Sequence, residues 1–192
     1  MQNRVNSFTG FQPLKEVWLG DCYPESFYNH LSAEVQDAFG IITEWTWQDL
    51  SKIQTVLESF NIKVQRPIFT NNIDDYIHNN HLLKPPITPR DVSMALGNDF
   101  YHLRSYYKKD PWQLQIDDFK KCGVTIHYGH DQSPLNCLFP PSVVRVGKDI
   151  YIDIDSHRSI WGYISETVVD WAKNSRVHIC STNGHSDGVF VQ

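Results

Sequence analysis

The sequence lacks any cysteine arrangement typical of a metal site or a redox motif. Its four cysteines are Cys22, Cys122, Cys137 and Cys180, and none of them is spaced as in a Cys-x-x-Cys motif. Unpaired thiols persist in reducing compartments, whereas disulfides form in oxidising ones. The sequence therefore predicts a cytoplasmic protein with free thiols.

Long apolar runs and an excess of basic residues are also missing. No stretch approaches the roughly 20 apolar residues that span a bilayer, and the opening residues lack the apolar run of a signal peptide. Lysine and arginine total 17 against 22 acidic residues, a formal net charge of −5. This charge gives no electrostatic basis for binding nucleic acid or an anionic membrane, although a cationic substrate is compatible with it.

The chain is instead rich in residues that build a core. Hydrophobic residues make up 41% and aromatic residues 13% of its 192 residues, which excludes a disordered chain. This length is sufficient for one domain with a sizeable core.

Two segments of the sequence repeat each other 50 residues apart. Residues 96–101 and 146–151 each place a Gly-x-Asp turn between two apolar, strand-like runs, which predicts a β-hairpin. A helix pattern follows each hairpin, starting near Pro111 in the first copy and near Ser159 in the second. Gly123 ends the first helix, and a short apolar strand follows in both copies.

This repeat predicts an α+β fold, an α/β propeller built of strand-strand-helix-strand units. The units span about residues 14–67, 85–130 and 138–182, and a fourth begins at His185, so the 192 residues form a single domain with an incomplete ring. The first copy is looser: residues 17–21 resemble the start of a hairpin, a helix runs from Trp47 to Phe60, and residues 24–44 are an insertion.

The connection from Pro67 to Pro89 is polar and rich in proline and asparagine, which predicts a long surface loop. Trp112 and Trp161 occupy matching helix positions and are expected in the core. The alternative is an ordinary α+β sandwich in which the repeat is a coincidence.

Three motifs precede strands at equivalent places in the units. They are Pro85–Asp91, Leu138–Ser142 and His185–Gly188. In a ring of repeats, equivalent strand ends point to one central axis. Asp91 and Asp187 can accept paired hydrogen bonds from a planar guanidinium, and His185 can move protons near neutral pH.

Each motif also has an ordinary structural interpretation. Pro-Arg-Asp at the end of a loop is often a turn with a surface ion pair, and His-x-Asp arises readily by chance. The remaining histidines are expected at the surface or hydrogen-bonded in the core, and no spacing indicates a metal site.

Taken together, these motifs resemble the glycine amidinotransferase family. Pro89–Asp91 followed by Leu96–Asn98 resembles its PRD…GN segment, and Phe139 with Arg145–Tyr151 resembles its FDAADFIRAGRDIF segment. Arg176–Ile179 followed by His185–Phe190 resembles its strand and HxD segment. The similarity extends from about Val17 to Gln192.

The resemblance implies a pentein fold, with five such units around a pseudo-fivefold axis, and transfer of an amidino group from an arginine-like guanidine to an amine acceptor or water. A cysteine thiolate forms a covalent intermediate in this chemistry. The resemblance assigns His185 as the general acid/base and Asp91 and Asp187 as the guanidinium-binding carboxylates. It implies no cofactor and no metal.

Two departures leave the activity open. The family has an acidic residue after its phenylalanine, where this sequence has Pro140–Ser142, and the family nucleophile lies in a fifth unit beyond Gln192. We therefore expect this chain alone to be inactive, complete only with a missing part, a second copy or a complementing chain. The alternatives are a catalytically silent pentein-like binding module and a small α+β interaction protein without a ligand site.

Overall fold

The computed structural model describes residues 4–8, 12–103, 107–128, 140–153 and 175–181. The chain forms two compact units. One, the helix unit, takes Leu14–Pro89 and Ser105–Asp117. The other, the sheet unit, takes Met1–Pro13, Arg90–Arg104 and Asp118–Gln192.

The helix unit contains a parallel strand pair joined by a long helix. Strand β1 (Glu16–Trp18) pairs in parallel with β2 (Lys63–Gln65), with Val17 opposite Val64. Parallel neighbours need a crossover connection, and α1 (Ala33–Ser59) supplies it. The predicted hairpin start at residues 17–21 is therefore wrong, because β1 pairs with the strand after the helix.

Helix α1 is longer than the sequence pattern indicated. The helix was expected to begin at Trp47 and an insertion to fill residues 24–44, yet α1 begins at Ala33 after a 3-10 turn at Glu25–Tyr28. The predicted end is confirmed, because Asn61 has a positive φ of 58°. Such a left-handed residue commonly ends a helix.

The connection from Pro67 to Pro89 is not a plain surface loop. It contains a 3-10 turn at Ile73–Asp75 and a small hairpin of β3 (Ile77–His78) and β4 (His81–Leu82). Asn79 and Asn80 form its turn with φ of 50° and 64°, as a type I′ turn requires. Aromatic side chains of this connection and of residues 23–28 pack together in one core: Tyr23, Phe27, Tyr28, Phe69 and Tyr76.

The sheet unit contains two sheets of the same topology. In the first, β5 (Ser93–Leu96) and β6 (Asp99–His102) form a hairpin, and β7 (Thr125–Tyr128) pairs in parallel with β6. In the second, β8 (Val143–Val146) and β9 (Asp149–Asp153) form a hairpin, and β10 (Arg176–Cys180) pairs in parallel with β9.

Both predicted hairpins are confirmed, and their turns explain why. Gly97 and Gly147 have φ of 59° and 61°, as the first turn residue of a type II′ hairpin requires. Gly123 (φ 77°) follows α2 (Gln113–Lys121), also as predicted. Asp110 caps the start of this helix, since its carboxylate accepts a 2.8 Å hydrogen bond from the Trp112 amide.

The first sheet has a helix-facing side and an opposite side. Phe100 contacts Phe119 of α2 edge to face at 5.1 Å between ring centroids, so Phe100 marks the helix-facing side. Asp99 and Tyr101 alternate with it and lie on the opposite side. In the helix unit, Trp112 is buried and stacks on Trp18 at 4.7 Å, which confirms its predicted core position.

The fold is thus mixed α+β with small, open sheets. Closure of these sheets into a ring of repeats stays a prediction. The helix expected from Ser159, with Trp161, and the fourth unit lie outside the described residues. Among the described helices, none combines the length and apolar character needed to cross a bilayer.

Candidate functional site

Asp91 lies where the sequence pattern placed it, at the entrance to a strand. It ends a 3-10 turn, Pro89–Asp91, directly before β5, and it is half-buried. We call this end of the two sheets, where β5 and β8 begin and β6 and β9 end, the strand-tip edge. The other two predicted site residues, His185 and Asp187, lie outside the described residues, so their meeting with Asp91 stays a prediction.

Arg90 connects the first strand tip to the second. Its guanidinium donates hydrogen bonds to the backbone carbonyls of Pro140 and Val143, at the start of β8. Its fork of donors suits two acceptors held in one plane. Arg90 thus links the start of β5 to the start of β8, and this link fixes the backbone next to Asp91.

A second arginine reinforces the same region. Arg145 donates to the carbonyl of Ser7 and, at 3.3 Å, to that of Ala95 on β5. Burial and the nearby positive charge of Arg90 lower the pKa of Arg145 below its ordinary value. Backbone carbonyls accept from both guanidinium groups, so these arginines act as structural links within the sheet unit.

The tip of the third predicted unit carries no carboxylate on its own turn. Pro140–Ser142 form a buried 3-10 turn, where the resembling family has an acidic residue. The hairpin register, with Val143 opposite Ile152, places Asp153 one step further along, across from Ser142. Asp153 is fully buried.

Asp153 was not among the predicted site residues, because only the residues directly after Phe139 were compared with the family motif. Asp153 lies on the second strand of the hairpin. Counting pairs outward from the turn at Gly147 would have found it. A carboxylate therefore lies at this tip, supplied by the second strand of the hairpin.

Ser93 and His102 form a buried hydrogen bond at the same edge. The Ser93 hydroxyl and His102 Nδ1 are 2.7 Å apart, and the two residues are paired across the β5–β6 hairpin. Both alternate with Asp99 and Tyr101 and so lie on the helix-facing side of the sheet, with Phe100. His102 is a hydrogen-bonded core histidine, as the sequence analysis expected for the histidines outside the motifs.

The opposite side of each sheet carries an aspartate, a tyrosine and a histidine in the same arrangement. His127 Nε2 lies 3.6 Å from the Asp99 carboxylate, and His178 Nε2 lies 2.7 Å from that of Asp149. Each imidazole also stacks on the tyrosine of the middle strand, at 4.6 Å for Tyr101 and 4.8 Å for Tyr151 between ring centroids. These contacts hold the parallel strand against the middle strand.

Cys22 lacks the surroundings of an activated thiolate, whereas the sulfur of Cys122 lies 3.9 Å from a guanidinium nitrogen of Arg4. Cys22 is buried, and burial together with the charge of Asp21 raises the pKa of its thiol above 9.0. Cys180 lies within β10, and its thiol is 3.6 Å from the Ile152 carbonyl. Cys137 lies outside the described residues.

A separate cleft of about 680 Å³ lies in the helix unit, between the 3-10 turn at Glu25–Tyr28 and α1. Asp91 does not line it. Its charged lining residues are all acidic, but Asp21 is already bound to Arg66, with 2.7 Å between the carboxylate oxygen and the guanidinium nitrogen. Of its aromatic lining residues, Tyr23, Tyr28 and Phe69 belong to the core of the helix unit, whereas Trp47 is exposed.

Metal-ligating side chains do not assemble in larger groups in the described part of the chain. No group of three or more histidine, cysteine, aspartate or glutamate side chains comes together there in a way that could hold an ion.

Comparison by sequence finds neither a matching family model nor a matching curated protein. Comparison by structure finds similar solved structures, among them two amidinotransferases. SxtG, an amidinotransferase from Microseira wollei in the saxitoxin biosynthetic pathway, is similar over 95% of this chain with a TM-score of 0.63 and 18% identity. The inosamine-phosphate amidinotransferase StrB1 from Streptomyces griseus is similar over 97% of the chain with a TM-score of 0.64 and 15% identity.

These similarities confirm the predicted amidinotransferase-like, pentein-like fold. The chain spans just under two thirds of each of those structures, 65% of SxtG and 66% of StrB1.

Proposed function

We propose that this chain is the guanidinium-binding part of an amidinotransferase-like protein, with Asp91 as a carboxylate that binds the substrate. The observation that supports the proposal best is the position of Asp91, which is half-buried at a strand tip of an amidinotransferase-like fold. Arg90, on the same turn, is hydrogen-bonded to the neighbouring strand tip. A planar guanidinium matches a carboxylate held in this way, because two parallel N–H groups can donate to its two oxygens.

In this proposal Asp187 binds a second edge of the guanidinium, and His185 is the general acid/base. A cysteine thiolate outside these 192 residues attacks the guanidino carbon, the bond from that carbon to the substrate's amine nitrogen breaks, and His185 gives the leaving amine its proton. An amine acceptor then attacks the amidino carbon, loses a proton to His185 and displaces the thiolate. No cofactor enters these steps.

Isothermal titration of the chain with L-arginine tests the binding step. We expect binding that Asp91→Asn weakens by about tenfold or more, because the variant loses one charge-assisted, bidentate contact. Asp74→Asn, which changes an exposed carboxylate in the helix unit, is the matched control and should bind as the unchanged chain does. Equal affinities for the unchanged chain and Asp91→Asn would contradict the proposal.

A catalytically silent binding module is the second candidate. The absence of an acidic residue from the Pro140–Ser142 turn favours it, since the resembling family has a carboxylate there. Incubating the chain with arginine and glycine and assaying ornithine distinguishes the candidates. We expect no ornithine from this chain alone, and ornithine once a cysteine-bearing continuation or complementing chain is supplied; continued absence of product would favour the silent module.

A further inference from the structure

The hairpin of β3 and β4 places two histidines directly opposite each other. His78 and His81 form the residue pair next to the turn, and both are exposed. Side chains of residues paired across antiparallel strands lie on the same face, with Cβ atoms about 5 Å apart. The two imidazoles therefore project from one face of the hairpin.

The turn between the two histidines fixes their pairing. Asn79 and Asn80 both have left-handed backbones, with φ of 50° and 64°. A two-residue turn of this type sets the register of its hairpin, because a shift would move the left-handed residues into the strands. Asparagine adopts this conformation more readily than most residues. The sequence His-Asn-Asn-His thus specifies that the two imidazoles share a face.

The base of this hairpin is anchored in the core of the helix unit. Tyr76, directly before β3, is buried, and its carbonyl accepts a 3.0 Å hydrogen bond from the Leu83 amide. Leu82 packs against the aromatic core. The Lys84 carbonyl accepts a 3.3 Å hydrogen bond from the Tyr23 hydroxyl. The two strands are therefore held in place before any ligand binds, which lowers the entropic cost of binding.

Both imidazoles are available to a ligand. Among the described residues, neither His78 nor His81 has a hydrogen-bond, ion-pair or ring partner. Neutral imidazole nitrogens are the ligands that Ni²⁺, Cu²⁺ and Zn²⁺ bind, at about 2.0 Å, and two rings on one face can reach a single ion. No third histidine, cysteine, aspartate or glutamate joins them in the described part of the chain. An ion bound there would keep positions open for water.

We propose that the β3–β4 hairpin binds one divalent transition-metal ion between His78 and His81, as an exchangeable two-histidine site. The sequence spacing did not indicate this site, because it depends on the register of a hairpin in a connection that was expected to be a plain loop. The proposal does not depend on the guanidinium site, since the hairpin belongs to the helix unit and Asp91 to the sheet unit.

Isothermal titration of the full chain with Ni²⁺ tests the proposal, because Ni²⁺ binds imidazole and does not oxidise free thiols. We expect one ion per chain with a dissociation constant in the micromolar range, since the second imidazole binds intramolecularly. His78→Gln and His81→Gln should each raise this constant about tenfold or more. His30→Gln, which removes another exposed histidine of the helix unit, is the matched control and should leave it unchanged.

A relocated histidine tests whether the facing pair, rather than the number of histidines, binds the ion. Asn80→His/His81→Asn keeps two histidines in the hairpin but moves one into the turn, so it should lose as much affinity as His81→Gln. Bound Ni²⁺ is paramagnetic and should broaden the amide resonances of Asn79 and Asn80 before others. Unchanged affinity in His78→Gln or His81→Gln would overturn the proposal, as would full affinity in the relocated variant or broadening confined to other residues.

Discussion

The absence of a side chain at Gly20 allows the segment before Asp91 to pack against it. A Cβ atom at this position would lie 1.9 Å from the Ile87 carbonyl oxygen, a backbone atom that cannot move independently. The adjacent Asp21 amide also donates to the Pro86 carbonyl at 3.2 Å. Only glycine allows this close approach, which fixes residues 86 and 87 within the helix unit.

Gly20→Ala should therefore destabilise the chain by about 1–3 kcal/mol, the usual cost of overpacking. The measurement is the free energy of unfolding in urea. Gly40→Ala in α1 is the matched control, because the nearest atom to its added Cβ is 3.9 Å away. That control should stabilise the helix by roughly 0.5–1 kcal/mol. Equal effects at the two glycines would show that the contact with Ile87 is unimportant.

Cys22 should react slowly with alkylating reagents although it lines an open cleft. Burial and the Asp21 carboxylate raise its thiol pKa, so little thiolate exists at neutral pH. Iodoacetamide labelling of the native chain, followed by mass spectrometry, should modify Cys22 about tenfold or more slowly than the partly exposed Cys122. Faster labelling of Cys22 than of Cys122 would identify an activated thiol that this account excludes.

At the scale of elements, the link from Arg90 to the start of β8 should contribute measurably to stability. Arg90→Ala leaves the carbonyls of Pro140 and Val143 without these donors, and hydrogen bonds to a charged group contribute roughly 1.5–3 kcal/mol each. Chemical denaturation should show a loss of about that size for Arg90→Ala. Lys148→Ala, which removes an exposed cation from the sheet unit, should change stability little; a smaller loss at Arg90 than at Lys148 would contradict the link.

The pairing of β9 with β10 should weaken in acid through Asp149. A hydrogen bond from Arg176 and a smaller effect of the hydrogen bond from His178 lower the pKa of this carboxyl below its ordinary value of 3.8. The folded chain therefore binds this proton more weakly than the unfolded chain, so the contribution to stability is present above that value and is lost as the pH falls through the folded-state pKa.

Asp149→Asn should remove this part of the pH dependence. Urea unfolding measured at successive pH values below about 5 should give a flatter acid limb for the variant than for the unchanged chain. Asp37→Asn, which changes an exposed carboxylate on α1, should keep the original slope. An Asp149→Asn variant with an unchanged slope would show that the pair is not formed in solution.

The elements that could be predicted from the sequence are those whose signals are local. Gly97 and Gly147 specify their hairpins, because a type II′ turn needs a positive φ at that position. The core role of Phe69 and Tyr76 could not be predicted in the same way. Their connection is polar and proline-rich overall, and only tertiary packing with Tyr23 and Phe27 determines its structure.

At the scale of the whole molecule, too, some features of the candidate site follow from local sequence signals and others do not. The position of Asp91 before a strand follows from the Pro-Arg-Asp sequence and the hairpin that comes after it. The link from Arg90 to Pro140 joins residues 50 apart in the chain, and no local pattern encodes it. The position of Asp153 opposite Ser142 follows from the hairpin register and could have been counted from the turn at Gly147. The amidinotransferase-like fold could be inferred only because three motifs occur in the same order and spacing.

The central claim is that strand tips of successive units bring Asp91, His185 and Asp187 to one guanidinium. A crystal structure of the chain with bound L-arginine measures this directly. We predict that the Asp91 and Asp187 carboxylates each lie about 3 Å from guanidinium nitrogens, with His185 close to the guanidino carbon. Carboxylates on separate faces of the molecule, or arginine bound away from Asp91, would contradict it.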